Sequence, residues 1–575
     1  MSRQSLFDLS EVPFSSFKSW MSISIPLESS ELTFRNHHIK ANDLFSLKMK
    51  VGDTYSKPSI NAQATKLTLK NDKSLVEICY EGPNTIRFKG NGASFELAGE
   101  GIHAYLDNDH QAVFSCPTAA RRYQIDLSKG KLELSGAYTA VEEDLDNLAA
   151  HQGGVEQSDL EGREQQIILI SADENGDWEF AIDEFWSSWI QPSRESFSTC
   201  LEKAESHFIQ FKDSLSQAKP SLSEAHELAS YINYSCTVGP TGLIKRPTLF
   251  MSKNWMNNVW SWDQCYNAIS LASGQPKLAM DQMLTLVDHQ DEFGAYPDCF
   301  NDVHIQYNFS KPPVHGLAYS EILKRLGSPL DNTTNKTMYR SLSAQVNWWL
   351  KYRRKENQEL PYYLHGNDSG WDNSTMFSNG VPLQAPDLSS LLIIQMDVLS
   401  KCALELDKHD ESKTWSERAD TLFKALMNEL WIEDHFAAKL ANCGTIIESQ
   451  SLIPWLCIIL GDRLSKEKQT QLKNGLEKHL TKWGLATEQM DSPQYIKDGY
   501  WRGPIWAPST FLAITGLDKC GFTDLANTIA ERYCELCKES GFAENYNAQT
   551  GEPLRDKAYT WTSSVFLILA DRLNK

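Results

Sequence analysis

The features scarce in this 575-residue chain each remove a class of function. No stretch of about 18 consecutive apolar residues occurs, so no membrane-spanning helix is expected. Met1 to Pro26 has no cationic segment leading into a long apolar run; Phe7, Leu9, Val12, Phe14 and Phe17 are interleaved with Asp8, Glu11 and serines. No secretory leader is expected, and a cytoplasmic location is the corresponding expectation. Positive charge is short: 55 Lys and Arg against 75 Asp and Glu leave a net charge of −20. Nucleic acid is therefore a poor partner, because affinity for it comes mainly from neutralising phosphates, and an anionic membrane is equally disfavoured. The direct consequence of the charge is solubility.

Cofactor signatures are absent too. The 14 histidines form no H-x-x-x-H or H-E-x-x-H pattern, and no EF-hand-like oxygen loop, G-x-S-x-G elbow, P-loop or Rossmann glycine fingerprint occurs. No cofactor and no metal are expected. The 12 cysteines have no framework spacing; Cys534 and Cys537 form a C-x-x-C inside a helical stretch with no second pair, so they read as small buried apolar side chains.

What remains is an ordinary globular composition, 41% hydrophobic and 23% charged, on a chain too long for one core. Residues 28–180 look β-rich: Leu47, Met49 and Val51 alternate with polar positions, as do Leu67 and Leu69, Ile86 and Phe88, Phe95 and Leu97, and Ile125 and Leu127. Tyr123–Leu127 and Lys131–Leu134 flank Ser128-Lys129-Gly130, which predicts a hairpin, and Ile167–Ile170 reads as the last strand. An acidic segment, Glu142 to Glu164, reads as a surface insertion. This is the expectation for a β-sandwich over residues 1–190, with a helical linker over 191–220. From Leu222 onward the period changes: Leu222, Ala225, Leu228, Ala229 and Ile232 trace one helical face. Helices are predicted near 260–273, 279–290, 313–326, 338–354, 387–406, 414–431, 449–461, 465–480, 506–516, 521–539 and 560–573. So many helices, joined by long loops rich in Trp and Asp, suit a toroid of paired helices over 221–575, with the loops building a site at one end.

Those loops hold the chemistry. Asp368-Ser369-Gly370-Trp371-Asp372-Asn373-Ser374 puts two carboxylates beside an indole in a turn-prone run. Trp offers a flat face to a pyranose ring, and an acid beside it has the raised pKa that a proton donor needs; Asp372 is equally readable as a cap or Asx-turn residue. Gly541-Phe542-Ala543-Glu544-Asn545-Tyr546-Asn547 is a polar segment between helices, where Glu544 either points into a cavity or faces solvent. Trp260-Ser261-Trp262-Asp263 opens a helix, where the dipole alone explains an acid but not two tryptophans. Tyr500-Trp501-Arg502-Gly503-Pro504-Ile505-Trp506 combines a guanidinium fork with aromatic walls, suited to hydroxyls, to a carboxylate, or to an internal ion pair. A pair of carboxyls flanking a glycosidic bond is the minimum for its hydrolysis: one protonates the leaving oxygen, the other activates water or attacks carbon.

Taken in order, these four motifs resemble glycoside hydrolase family 63 and its relative, the trehalase family, over residues of about 225 to 575. The resemblance implies an (α/α)6 barrel behind an N-terminal β-sandwich, acting as an inverting exo-α-glycosidase of the α-glucosidase kind on a disaccharide, short oligosaccharide or small glucoside. It also implies Asp372 as general acid and Glu544 as general base. Asp263, with Trp260, Trp262, Asp368, Trp371, Asn373, Trp501, Arg502, Gly503, Trp506 and Tyr546, would form the substrate pocket. Two departures flank the acid: Asp368 stands where the family usually has Glu, and Thr375-Met376 where it usually has Pro and a basic residue. An inverting phosphorylase would keep the acid and dispense with Glu544. A sugar epimerase on a toroid would need a histidine pair that these motifs lack, and a non-catalytic binding protein would need no carboxyl pair. The expected partner is a small carbohydrate.

Overall fold

A computed structural model describes residues 6–27, 29–99, 102–116, 118–136 and 165–575; the acidic segment Glu142 to Glu164 lies outside them. The chain divides into two compact units, one comprising Met1–Lys212, Tyr234–Thr241 and Ser252–Asn257, the other Asp213–Asn233, Gly242–Met251 and Asn258–Lys575.

The first unit is built on two antiparallel 8-stranded sheets. In one, Asn42–Val51, Ser94–Gly99, Gln166–Ser171 and Lys131–Ser135 lie side by side; in the other, Gln111–Cys116, Arg121–Lys129, Asp177–Phe185, Thr85–Asn91 and Leu75–Tyr80 do. Register follows the apolar alternation: Phe95 opposes Met49 and Ile170, and Leu97 opposes Leu47 and Ile168. These residues join Phe88, Ile125 and Phe180 of the second sheet in one buried core, so the layers form a sandwich.

Two sequence expectations fail here. Arg121–Lys129 and Lys131–Ser135 are not a hairpin: the former pairs with Gln111–Cys116 and Asp177–Phe185, the latter with Gln166–Ser171. Gly130, at φ 105, carries the chain from one sheet to the other, and a Cβ there would sit 2.5 Å from the Ser171 carbonyl. The last strand is Asp177–Phe185 rather than Ile167–Ile170; a tight turn, Asp173 to Gly176, leads into it.

The second unit is an (α/α)6 barrel. Its inner helices are Asp263–Leu271, His315–Arg325, Pro386–Glu405, the Ile453–Arg463 segment, Ala507–Cys520 and Thr560–Asn574; each packs on the next, and the last returns to the first. Between them in sequence run the outer helices Pro276–Val287, Asn332–Tyr352, His409–Leu430, Lys466–Lys478 and Thr523–Ser540, preceded by Ser223–Cys236. Burial separates the layers. Every residue of Asp263–Leu271 is buried, whereas Lys466–Lys478 buries only Gln469, Leu472, Gly475 and Leu476.

The first inner helix starts at Asp263, because Val259–Trp260 is a strand paired with Cys299–Phe300. The helix expected at 449–461 is one short α-turn, Ile453–Leu456, continued as 3₁₀ and broken at Gly461, whose φ is 58 and ψ −126. Among the described residues no helix is long and apolar enough to cross a membrane.

Candidate active site

The chemistry-bearing loops all precede the N-termini of inner helices. Ser261-Trp262 leads into Asp263–Leu271, Lys311 lies just before His315–Arg325, and Asp372 lies before Pro386–Glu405. Tyr500–Trp506 precedes Ala507–Cys520, and Glu544 precedes Thr560–Asn574.

A stack of indoles forms the floor. Trp501 lies parallel to Trp506 with centroids 3.9 Å apart and leans on Trp371 at 4.6 Å and Trp262 at 6.0 Å. Trp561, on the last inner helix, closes the cluster against Trp262 at 5.5 Å and Trp506 at 5.5 Å. Gly370 is what lets Trp262 reach this position: at φ 70, its absent Cβ would fall 2.5 Å from the Trp262 ring.

Around the floor, burial sets the electrostatics. Asp372 has its carboxyl held above the usual range, chiefly by desolvation and against the pull of Lys311. Glu544 is 4% exposed; burial pushes it up to about 7, nearby Asp556 and Asp372 add to the rise, and a hydrogen bond from the Tyr500 hydroxyl opposes it. The charge of Asp372 therefore reaches Glu544 and disfavours its ionisation. Asp263 is raised well above the carboxylate range by burial, with Lys311 pulling it down and Glu544 pushing it up. Asp263 Oδ2, Arg502 Nε and Asn545 Nδ2 are among the buried polar atoms that have no hydrogen-bond partner in the described residues. Orphaned buried groups are costly, and sugar hydroxyls are natural partners for them.

Lys311 is the buried cation of the site. Its ammonium lies 3.0 Å from Asp298 Oδ1 and donates to the Asn367 carbonyl at 3.0 Å. Its charge is felt by Asp372, Asp263 and Asp298. Neither Lys311 nor Asp298 is among the residues expected from sequence, nor is Glu488, which accepts from Thr375 at 2.7 Å and Ser492 at 2.6 Å and feels the charge of Arg502. Tyr500 heads one of the four motifs, yet nothing in that motif announces its bond to Glu544; its φ of 63 is the backbone mark of a constrained position.

Other expected residues hold the site rather than face it. Both oxygens of Asp368 are taken: Oδ1 by the Ser310 amide at 2.8 Å, Oδ2 by the Leu364 amide at 2.8 Å and by Arg353 at 2.8 Å. Asn373 clamps the neighbouring motif, donating to the Gly499 carbonyl at 3.0 Å and accepting from the Trp501 amide at 3.0 Å. Gly503, at φ 148, leaves room for the Ile496 carbonyl, which a Cβ would meet at 2.4 Å. Trp506 donates its indole N–H to the Tyr500 carbonyl at 2.9 Å. Tyr546 lies behind Glu544 with its hydroxyl on the Gly541 carbonyl at 2.6 Å. Trp260 is half-buried and makes no ring contact with the indole cluster among the described residues.

A family profile described as "Mannosylglycerate hydrolase MGH1-like glycoside hydrolase domain" matches residues 256–562. Mannosylglycerate hydrolase MGH1 of Selaginella moellendorffii is 20% identical over 392 residues, covering 54% of this chain and 79% of that protein. The glucosylglycerate hydrolase of Mycolicibacterium hassiacum is 22% identical over 413 residues, covering 54% and 91%. Among solved structures, a GH63 mannosylglycerate hydrolase from Thermus thermophilus in complex with glucose aligns with 61% of this chain and 99% of its own, at 16% identity and a TM-score of 0.52. A bacterial glucoamylase complexed with acarbose aligns with 99% of this chain and 94% of its own, at 12% identity and a TM-score of 0.60. These two likenesses concern the fold.

Proposed function

The chain belongs to the mannosylglycerate hydrolase MGH1-like group of family 63 glycoside hydrolases, and from that premise we propose that it is an inverting exo-α-glycosidase that removes a terminal hexosyl unit, glucosyl or mannosyl, from a small aglycone of the glycerate kind. The observation that carries this is the pair Asp372 and Glu544: two carboxyls raised by burial, the charge of the first felt by the second, each on a loop that leads into the N-terminus of an inner helix. Asp372 protonates the departing glycosidic oxygen while Glu544 deprotonates water on the opposite face of the ring. Tyr500 orients Glu544 and favours its ionised form; Asp263 and Asn545 accept and donate to the sugar hydroxyls, and Arg502 receives the aglycone's carboxylate or hydroxyl. The names of the relatives support mannose and glucose alike as the sugar, which widens the glucose expectation drawn from the sequence.

Proton NMR of the sugar released from mannosylglycerate, glucosylglycerate, trehalose and isomaltose tests the reading, with and without phosphate. The expected result is the β-anomer appearing first from a glycerate glycoside, independent of phosphate. Asp372→Asn should lower kcat by about 10²–10⁴-fold, the range for general acid–base groups, and by much less on a nitrophenyl glycoside that leaves unaided. Release of the α-anomer, or turnover only with phosphate, would remove the assignment.

A further inference from the structure

The sandwich unit holds a second polar cleft, of about 230 Å³, whose lining residues all belong to that unit. Its outer wall is Trp186, an indole 65% exposed with the Arg121 guanidinium 3.7 Å from the ring centroid. Its inner wall is His38, stacked on Trp20 at 4.1 Å with planes 9° apart. Between them stands Glu184, whose side chain is only 8% exposed: Oε1 is fixed by His38 Nε2 at 2.7 Å, while Oε2 has no hydrogen-bond partner among the described residues. Asn84 lies at the rim.

We propose that this cleft is a second carbohydrate-binding site, which takes one neutral hexopyranosyl unit against Trp186 with hydroxyls directed to Glu184 and Asn84. Three observations select that ligand. The two ends of the guanidinium are engaged, Nη1 donating to the Ala120 carbonyl at 2.8 Å and Nη2 meeting His38 Nδ1 at 2.9 Å and Thr241 at 3.4 Å, while Nε, 3.4 Å from Glu184, has no hydrogen-bond partner among the described residues. With both ends of the fork engaged, what stays unmatched is one acceptor, Glu184 Oε2, and one donor, Arg121 Nε, a pair that a hydroxyl, donor and acceptor at once, can answer. A cation is disfavoured by Arg121 and Lys18, both of which border the cleft. The volume is below the roughly 300–1,000 Å³ of pockets for drug-sized ligands and suits a single ring. Because Trp186 and Glu184 are held before any ligand arrives, little ordering is lost on binding. The site is distinct from the carboxyl pair and would hold the enzyme near glycan-rich material or retain a released sugar.

The test is calorimetric titration of the full chain with methyl α-glucoside and methyl α-mannoside, on the Asp372→Asn background so that nothing turns over. Two classes of site are expected, and Trp186→Ala or Asn84→Ala should weaken one of them at least tenfold. In the catalytically intact chain, the same substitutions should leave kcat and KM on a small glycoside unchanged. Sodium glycerate and tetramethylammonium chloride serve as anionic and cationic probes, and neither should bind in a Trp186-dependent way. Identical titrations with and without Trp186, or Trp186-dependent binding of either ion instead of a sugar, would overturn the proposal. Trp186 and Asn84 border open solvent, so neither substitution threatens the fold.

Discussion

At Glu544 burial sets the working range of the site, and the Tyr500 hydroxyl tempers it. The free carboxyl of Glu544 lies near 7 because burial outweighs the Tyr500 hydroxyl bond and the charge of Arg555, both of which favour ionisation. In the proposed role of base it must be ionised, so kcat/KM should fall as pH drops through about 7, the value burial gives it. Removing the donor makes ionisation harder. A hydrogen bond to a charged group is worth about 1.5–3 kcal/mol, so Tyr500→Phe should move this acidic limb upward by about 1–2 pH units. The measurement is the pH profile of kcat/KM for both proteins; an unmoved limb would separate Tyr500 from the base. Lys311 supports a second residue-scale expectation. It and Asp298 form an ion pair with side chains 6% and 7% exposed, so Lys311→Met leaves a buried carboxylate uncompensated. The loss should be about 3–5 kcal/mol at neutral pH, and Lys311→Met with Asp298→Asn should recover much of it in urea unfolding. If the double variant is no more stable than the single, the pair is not what holds these loops.

At the scale of elements, the site is a product of helix order. Each inner helix receives its loop at its N-terminal end, so the acids lie where backbone N–H groups point outward and the dipole favours negative charge. Asp263, the first residue of its helix, shows which effect wins: burial raises its pKa in spite of that dipole and in spite of Lys311. The loops themselves depend on close approaches that only glycine permits. Gly370→Ala should cost about 1–3 kcal/mol, the usual penalty of overpacking, and depress kcat by displacing Trp262. Gly380→Ala is the control: its φ of 106 is also positive, but nothing lies within 4 Å of its would-be Cβ. Equal losses at the two positions would make the Trp262 contact unimportant. The motifs were legible at this scale because turn residues, tryptophans and acids recur together before helices. What escaped was any partner supplied by a distant loop. Lys311 follows a serine and precedes two prolines, with nothing local to mark it as the cation between Asp298 and the Asn367 carbonyl. Asp368 and Asn373 look like sugar ligands in sequence, and only the folded loops reveal Arg353 and the 499–501 backbone as what they bind.

For the whole molecule, periodicity carried most of the architecture. The 3.6-residue faces after Leu222 anticipated the barrel because buried inner and amphipathic outer helices alternate strictly. Strand pairing was less legible: a Ser-Lys-Gly turn looks the same whether the chain folds back beside itself or crosses to the facing sheet, and Gly130 does the latter. Net charge is the remaining global property, and it bears on the proposed substrate. At −20, the chain as a whole repels an anion such as a glycerate glycoside, and salt screens that repulsion. The Debye length falls from about 30 Å at 0.01 M salt to about 8 Å at 0.15 M. Over that range kcat/KM for glucosylglycerate or mannosylglycerate should rise several-fold, while the value for a neutral methyl glycoside stays level. Initial rates at substrate concentrations well below KM give both numbers directly. A fall for the acidic glycoside would mean that Lys311 and Arg502 govern its approach in place of the surface, and parallel responses from the two glycosides would mean that the aglycone charge is not sensed at all.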